Sequence, residues 1–259
     1  MKEATIKNND LVLICHKERR YLKKVEEGKT FSGKGGILSF TDLIGNPFGK
    51  IYGEYEVYKP TIEDLIMYGV KRDTQIIYPK DAAFICMKLN VGNGSHVLES
   101  GTGSGALTIM LSAFVGAEGK IITVEKEERH FRNAKKNIER FSMFDNVKLI
   151  NSDILDFHES DFDSIFIDVR EPWHFLGHLW NLLKPSGSIG MIVPTANQIS
   201  EILRAFDTYH GFGDLEVIEI LLRKYKTVSE RVRPFDRMVA HTGYLIFARK
   251  VLNIVTSEE

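Results

Sequence analysis

Several features that mark common protein classes are scarce in this chain of 259 residues. It has only two cysteines, Cys15 and Cys86, which lie far apart in the sequence. They could form one disulfide, but free thiols in a reducing cytosol are favoured. No uninterrupted apolar run reaches membrane-spanning length, and residues 1–5 lack the apolar core of a signal peptide. We therefore expect a soluble, cytoplasmic protein with no membrane segment.

An excess of positive charge is also missing. The formal net charge is −1, which argues against a globally basic nucleic-acid binder and leaves any RNA contact to local patches. No Cys/His cluster has the spacing of metal ligands, so no metal site is expected. The chain does have 43% hydrophobic residues, enough for a sizeable core in one large domain or in a large and a small one.

Three glycines at alternate positions mark the most informative stretch, Val97 to Leu107. The apolar run before them is typical of a strand, and the apolar run after them is typical of a helix. Glycine adopts tight turns and lets a ligand approach, while the free N–H groups of a helix start suit a polar or anionic ligand. The pattern predicts a nucleotide-type site, with a ligand-free strand–helix corner as the alternative. The candidate cofactor-binding residues of this stretch are Glu99, Gly101, Gly103, Ser104, Gly105, Ala106 and Leu107.

The spacing of these glycines separates two nucleotide classes. Dinucleotide sites carry G-x-G-x-x-G, whereas this turn has G-x-G-x-G led by Glu99, so no pyrophosphate need be held. An NAD-dependent oxidoreductase on the same kind of sheet is therefore the less favoured alternative.

Beyond the glycine turn, expected strands and helices alternate along the chain. Strands are expected at residues 120–125, 147–151, 163–168, 188–193, 215–222 and 242–248, and helices at 127–141, 172–183 and 195–209. This alternation predicts a mostly parallel sheet with helices on both faces. Short strands with glycine turns between residues 9 and 58 predict instead a small β domain. We expect domains at 1–60 and 61–259, the second opening with linker helices.

Polar residues follow the ends of these strands, which is where ligands bind in parallel sheets. Glu125 could accept hydrogen bonds from both hydroxyls of a ribose, or be an ordinary surface carboxylate. His130 could reach the ribose or the adenine edge, or simply be solvated on its helix. Asp153 could accept from an adenine amino group, or cap the start of a helix.

Three sets of motifs together resemble one known family, the tRNA adenine-N1 methyltransferases of TrmI type. They are Glu99-x-Gly101-x-Gly103-x-Gly105 with Glu125, Asp153 and Asp168-x-x-x-Pro172-Trp173; Gln75-x-x-Tyr78-Pro79-Lys80-Asp81; and Arg233-Pro234-x-x-Arg237-Met238-Val239-x-His241-Thr242-Gly243. The resemblance covers nearly the whole chain. It implies a class I (Rossmann-like) S-adenosylmethionine methyltransferase sheet with a small N-terminal β domain.

The resemblance also implies a cofactor, a substrate and an assembly. These are S-adenosylmethionine, tRNA methylated to 1-methyladenosine at position 58 of its T-loop, and a homotetramer built as a dimer of dimers. This sequence departs from the usual family pattern at Ser100 and Arg170, neither of which removes a reacting group. A methyltransferase acting on another RNA, a protein or a small molecule is the alternative function.

Asp168 is the candidate catalytic residue, because methyl transfer to adenine N1 leaves positive charge on N1 and N6. A carboxylate that accepts from N6–H stabilises that charge, orients the base and could later take the proton. Capping of the helix near Pro172 is its alternative role. Tyr78 is a second candidate, as a wall on which the extruded base stacks, or else an ordinary half-buried tyrosine. Core packing is favoured for Trp173.

Two clusters of positive charge remain. Residues 223–237 hold six Lys and Arg against two acids, and a basic stretch at residues 17–24 lies in the expected N-terminal domain. Either cluster could bind RNA phosphates or form a solvated face.

Overall fold

The protein is described by a computed structural model that covers residues 5–141 and 145–252. Residues 1–4, part of the stretch behind the signal-peptide argument, lie outside the described residues. The chain divides into two compact units, Met1–Lys71 and Arg72–Glu259. The expected boundary at residues 60/61 assigned Ile62–Gly69 to the second unit. The contacts place this segment in the first unit, because it packs against a strand there.

The first unit is built from short antiparallel strands, as the sequence predicts. Its strands are β1 (Leu11–His16), β2 (Arg19–Lys24), β3 (Thr30–Gly33), β4 (Gly36–Ser39), β5 (Lys50–Tyr52) and β6 (Tyr55–Tyr58), followed by the helical turn α1 (Ile62–Asp64) and a π-helical turn Leu65–Gly69. Four strands form a sheet in the order β2-β1-β6-β5, and β3 pairs with β4 as a hairpin. The Tyr55 hydroxyl fastens this hairpin, because it accepts from the Gly35 N–H (3.1 Å) and donates to the Gly36 carbonyl (2.9 Å).

The second unit is an α/β sheet of seven strands in the order β12-β15-β11-β10-β7-β8-β9. Its elements are α2 (Pro79–Lys88), β7 (His96–Ser100), α3 (Ala106–Val115), β8 (Lys120–Glu125), α4 (Glu128–Phe141), β9 (Val147–Asn151), β10 (Phe162–Ile167), α5 (Leu176–Leu182), β11 (Leu183–Val193), α6 (Ala196–Thr208), β12 (Phe212–Ile218), β13 (Tyr225–Lys226), β14 (Arg233–Pro234) and β15 (Tyr244–Lys250). The strands from β7 to β11 pair in parallel, and β15 runs antiparallel to β11 and β12. The predicted Rossmann-like class is confirmed.

The central strands are apolar on both faces because helices cover both sides of a parallel sheet. Ile165, Phe166 and Ile167 of β10 are fully buried in the core. The sequence predicts a turn at residues 184–187, but strand β11 includes them, and the pairing of β10 with β11 shifts register between Phe162 and Ser164. The Pro–Ser–Gly signal therefore marks an irregularity of a strand rather than its beginning.

The expectation of free thiols is confirmed. Cys15 and Cys86 are both free and buried. In the part of the chain that the structure describes, no helix combines the length and the apolar character needed to cross a bilayer.

Candidate active site

A cavity of about 790 Å³ lies in the second unit, at the carboxyl edge of the parallel strands. This volume falls in the range of roughly 300–1,000 Å³ that is usual for small-molecule sites. Thr74 to Ile77 and Arg170 to Glu171 contribute further parts of its wall. The expected site residues that line it are Glu99, Gly101, Gly103, Ser104, Ala106, Leu107, Glu125, His130, Asp153 and Asp168. The structure thus brings together residues spread over 70 positions of the sequence.

The glycine turn depends on the absence of a side chain at Gly101. This residue has φ +88°, and a Cβ built there would lie 2.0 Å from the carbonyl oxygen of Asp168. The turn and the end of β10 are held together by the Asp168 N–H, which donates to the Ser100 carbonyl at 2.8 Å. Gly105 also has a left-handed backbone (φ +79°) and forms the N-cap of α3. The glycines therefore let the loop pass directly beside the candidate catalytic acid.

Glu125 is a buried part of the cavity wall, so the surface-carboxylate alternative is wrong. It ends β8, and its carboxylate accepts from the Gly103 N–H at 2.9 Å and from the Glu127 N–H at 3.0 Å. Each carboxylate oxygen has a second lone pair, so the group still has capacity to accept from a ligand. The His130 ring lies beside it, with Nδ1 3.9 Å from Glu125 Oε1, on the first turn of α4.

Glu99 lies under the glycine turn and is almost fully buried. Burial raises the pKa of Glu99 to about 7, although the hydroxyls of Thr108 and Thr123 lower it in part. The Thr108 hydroxyl donates to Glu99 Oε2 at 2.6 Å. The negative charges of Asp168 and Glu125 raise the pKa further. Burial thus favours the neutral form of this carboxyl group more than it does for an exposed glutamate.

Asp168 follows β10 and opens onto the cavity. The residue itself is exposed to the cavity, but desolvation by the neighbouring protein, followed by the Glu125 charge, raises the pKa of Asp168 to about 7. Across residues 5–141 and 145–252, no donor forms a hydrogen bond to the Asp168 carboxyl oxygens. The helical turn Pro172–Phe175 has Glu171 as its N-cap residue, so Asp168 does not cap it. Its carboxyl is available to a ligand.

Asp153 has the capping role and lies in the cavity as well. Its Oδ1 accepts from the Leu155 N–H at 3.0 Å at the start of a 3₁₀ turn, and Lys126 Nζ lies 2.8 Å from Oδ2. The hydrogen bond and charge of Lys126 hold the pKa of Asp153 below its usual range. Since the carboxylate also lines the cavity, both roles proposed from the sequence are compatible with its position.

The two aromatic candidates, Tyr78 and Trp173, do not line the cavity, although their neighbours along the chain do. Its wall ends at Ile77, and Tyr78 is the half-buried N-cap residue of α2. The stacking role of Tyr78 stays a prediction. Trp173 packs against the main core of the sheet, as favoured from the sequence.

A polar network that sequence reasoning missed connects α2 with the last strands. Lys80 Nζ donates to Asp81 (2.7 Å), to the Thr242 hydroxyl (2.6 Å) and to the Ile220 carbonyl (2.8 Å). The Thr242 hydroxyl donates in turn to the other Asp81 oxygen at 2.8 Å. Lys80 and Asp81 are buried. The Lys-Asp and His-Thr-Gly motifs were the available signal, but nothing in the sequence showed that they meet.

The basic cluster at residues 223–237 forms a loop region with a short ribbon, in which β13 pairs with β14. Lys226 forms an ion pair with Asp236 at 2.8 Å, while Arg231, Arg233 and Arg237 are exposed. Among the described residues, no group of three or more His, Cys, Asp or Glu is placed to hold a metal ion.

Comparison with known proteins agrees with this geometry. Residues 55–233 match the family model described as tRNA methyltransferase complex GCD14 subunit. A tRNA (adenine(58)-N(1))-methyltransferase TrmI from Thermus thermophilus is 31% identical over 247 residues, which cover 93% of this chain and 96% of the relative.

Two solved structures superpose over nearly the whole chain. The tRNA (m1A58) methyltransferase TrmI from Aquifex aeolicus has 43% identity and a TM-score of 0.88, covering 96% of this chain and 100% of that one. A protein from Thermotoga maritima, named as a SAM-dependent O-methyltransferase, has 38% identity and a TM-score of 0.89, with 96% of each chain covered. The chain therefore belongs to the TrmI-type family of tRNA (adenine-N1) methyltransferases.

Proposed function

We propose that this chain transfers the methyl group of S-adenosylmethionine to N1 of adenine 58 in the T-loop of tRNA, forming 1-methyladenosine. The observation that supports this most is the position of Asp168, whose carboxyl opens onto the same cavity as the glycine turn and Glu125. Family membership supports the choice of tRNA as the substrate.

The charge of the cavity fits this cofactor better than a dinucleotide. Its wall holds more acids than cations, so a cationic ligand is favoured over a pyrophosphate. The acids are Glu99, Glu125, Glu127, Asp153, Asp168 and Glu171, and the cations are Lys126 and Arg170. S-adenosylmethionine supplies an electrophilic methyl group on a positively charged sulfur. Glu125 would accept from the ribose hydroxyls and Asp153 from the adenine amino group. The backbone of the glycine turn, with Ser104, Ala106 and Leu107, would form the remaining wall, and His130 would close the ribose side.

Asp168 would act on the adenine that receives the methyl group. Its carboxylate would accept a hydrogen bond from N6–H, which turns N1 of the target base into the cavity. Positive charge develops over N1 and N6 during transfer, and an ionised Asp168 stabilises it. Afterwards the same carboxylate, with a pKa of about 7, is suited to take the N6 proton.

The remaining parts of the proposal concern the RNA. N1 lies on the Watson–Crick edge, so the base must be extruded before it reaches Asp168. Tyr78 would provide a stacking face for it, a contact worth about 1–3 kcal/mol in other proteins. The arginines of residues 223–237 would contact phosphates, which predicts salt-dependent binding.

The proposed assembly is a homotetramer, a dimer of dimers, in the cytoplasm. Its support is a row of exposed apolar side chains in one segment, too many for an isolated surface. They are Leu221, Leu222, Tyr225, Val228, Val232, Phe235, Met238 and Val239. Sedimentation velocity of the purified chain tests this assembly.

One experiment names both the acceptor base and its atom. The purified chain is incubated with S-adenosylmethionine and an unmodified tRNA transcript, and nucleosides are then separated and identified by mass spectrometry. We expect 1-methyladenosine with the normal transcript and none with a transcript carrying uridine at position 58. Equal methylation of both transcripts would refute the site. A 2′-O-methylated nucleoside would favour O-methylation, the activity named for the Thermotoga relative.

A further inference from the structure

The segment from Leu221 to Ala240 has almost no packing of its own. None of these residues is buried, and only Lys226 and Pro234 are as much as half-buried. The short β13–β14 ribbon gives it local structure but does not attach it to the sheet. Within one copy of the chain, the contacts of the residues at its two ends therefore contribute to the position of this segment.

His241 lies at one end of the segment and bonds to two other elements. Its Nδ1 lies 2.7 Å from Glu219 Oε1, just after β12, and its Nε2 lies 2.8 Å from the Pro194 carbonyl oxygen, just after β11. An ionised carboxylate and a carbonyl oxygen accept hydrogen bonds and do not donate them. Both ring nitrogens must then carry hydrogen, so the geometry describes a charged imidazolium.

The charged groups around His241 agree with this state. The hydrogen bond to Glu219, followed by that to the Pro194 carbonyl, raises the pKa of His241 above its ordinary value of 6.5. Lys80 of α2 opposes the charge, but it is itself paired with Asp81. From β15, the Tyr244 ring packs against the imidazole with centroids 4.8 Å apart.

The hydrogen bond between His241 and the Pro194 carbonyl lies at the same edge of the sheet as the candidate catalytic acid, Asp168. β10 and β11 pair in parallel with Ile167 opposite Met191, so Asp168 and Pro194 both follow the carboxyl ends of neighbouring strands. A contact that holds residues 221–240 at Pro194 therefore holds their Lys and Arg side chains close to the edge of the sheet where the acceptor base must arrive.

We propose that His241, as an imidazolium, is a positioning residue that fastens the basic segment 221–240 to the carboxyl edge of the sheet for RNA binding. The inference rests on the proposed tRNA substrate and adds a residue and a pH dependence to it. While the imidazole is protonated, both hydrogen bonds are formed. As the pH rises through the His241 pKa, which lies above 6.5, one ring nitrogen loses its hydrogen and the contact with either Glu219 or Pro194 is lost, while the Lys80 bonds to Thr242 and Ile220 remain.

The test separates RNA binding from cofactor binding across roughly pH 6 to 9, the range in which a histidine of raised pKa titrates. For the wild-type chain we expect the KM for tRNA to rise several-fold as His241 deprotonates, while the affinity for S-adenosylhomocysteine changes little there. At the acid end of this range, the KM of His241→Gln for tRNA should be about tenfold higher than that of the wild type. The KM of this variant should not increase further as the pH rises. Glu219→Gln should move the rise to lower pH. His210→Gln, an exposed histidine with no partner among the described residues, is the matched control and should behave as wild type.

A spectroscopic measurement makes the test independent of turnover. Ring ¹⁵N spectra of the wild-type chain, assigned with the His241→Gln variant, should show both His241 nitrogens protonated at pH 6.5. A neutral tautomer at that pH, an unchanged KM in His241→Gln, or a change of oligomeric state in that variant would overturn the inference. Wild-type protein that methylates no tRNA would instead defeat the proposed function.

Discussion

The backbones of Gly101 and Asp168 approach so closely that a Cβ on Gly101 would lie 2.0 Å from the main-chain oxygen of Asp168. The glycine turn and the end of β10 are thus in contact through their backbones. Because such a contact leaves no room for adjustment, the position of Asp168 relative to the glycine turn is set by the fold itself. This relationship explains why an alternating glycine pattern and an acid 67 residues later belong to one site.

Gly101→Ala should therefore destroy cofactor binding and lower stability. A left-handed backbone costs an L-residue about 1–2 kcal/mol, and overpacking against main chain adds about 1–3 kcal/mol. Calorimetry with S-adenosylhomocysteine and urea unfolding measure the two effects. Gly94→Ala is the matched control, because Gly94 has φ +83° and open space around it. In this variant only the energetic cost of the left-handed backbone applies. Equal losses in both variants would mean that the contact with Asp168 is unimportant.

Glu125→Gln should weaken binding of S-adenosylhomocysteine by about 10- to 100-fold. The change replaces one carboxylate oxygen with an NH2 group, which cannot accept a hydrogen bond, so either the Gly103 N–H or the Glu127 N–H faces a donor and one ribose hydroxyl loses its acceptor. Hydrogen bonds to charged groups contribute about 1.5–3 kcal/mol. Titration calorimetry gives the affinity. Glu128→Gln, an exposed acid on the first turn of α4, should leave it unchanged. Similar affinities for the two variants would remove Glu125 from the site.

Asp168→Asn should lower kcat by at least about 100-fold, as loss of one preorganised charge-stabilising group does in other enzymes. Because the pKa of Asp168 is about 7, the kcat of the wild-type chain should rise with pH through that value as the carboxyl ionises. Steady-state assays spanning about 1.5 pH units on either side of that pKa test both statements. Asp207→Asn, on the exposed side of α6, should keep the wild-type profile.

The same substitution should stabilise the protein at alkaline pH. The Asp168 pKa is raised from 3.8 to about 7, so folding favours the neutral carboxyl and ionisation above pH 7 costs stability. The cost is small because Asp168 is exposed to the cavity and solvent screens its charge. This cost is absent below pH 3.8, grows between the two values and is complete above pH 7. An uncharged amide in place of the acid avoids the cost. Thermal melts should show a higher Tm for Asp168→Asn above pH 7, with a difference that shrinks as the pH falls toward 3.8; a constant difference would contradict the titration.

Much of this arrangement could be predicted from the sequence. Short apolar runs such as Ile165-Phe166-Ile167 indicate buried parallel strands, and the residues after parallel strands necessarily meet at one edge. For that reason the sequence alone predicts Glu125, Asp153 and Asp168 at one site. Their exact partners were not predictable, because Gly103 and Glu127 bind Glu125 through backbone N–H groups that nearly every residue type carries.

The contacts of the last strands could not be predicted for a different reason. Lys80 and Thr242 are 162 positions apart, and their meeting depends on how the antiparallel strand β15 enters the sheet beside β11. No local spacing encodes that placement. For Tyr78 the local position was predictable and the orientation was not. The motif places it directly before Pro79 at the start of α2, but a motif match does not say whether the ring points into the cavity.

The buried pair Lys80–Asp81 gives the last prediction, which concerns stability. Asp81→Asn leaves the Lys80 ammonium buried without its counter-charge, and breaking a buried pair costs about 3–5 kcal/mol. Lys80→Met removes the other charge at a similar cost, but the double variant should recover much of the loss because no unpaired charge remains. Urea unfolding of the wild type, the two single variants and the double variant gives the coupling energy. Lys148→Met breaks the exposed pair with Glu159 and should cost less than about 1 kcal/mol. If the losses of the two single variants simply add in the double variant, the pair contributes through separate contacts rather than through its charge.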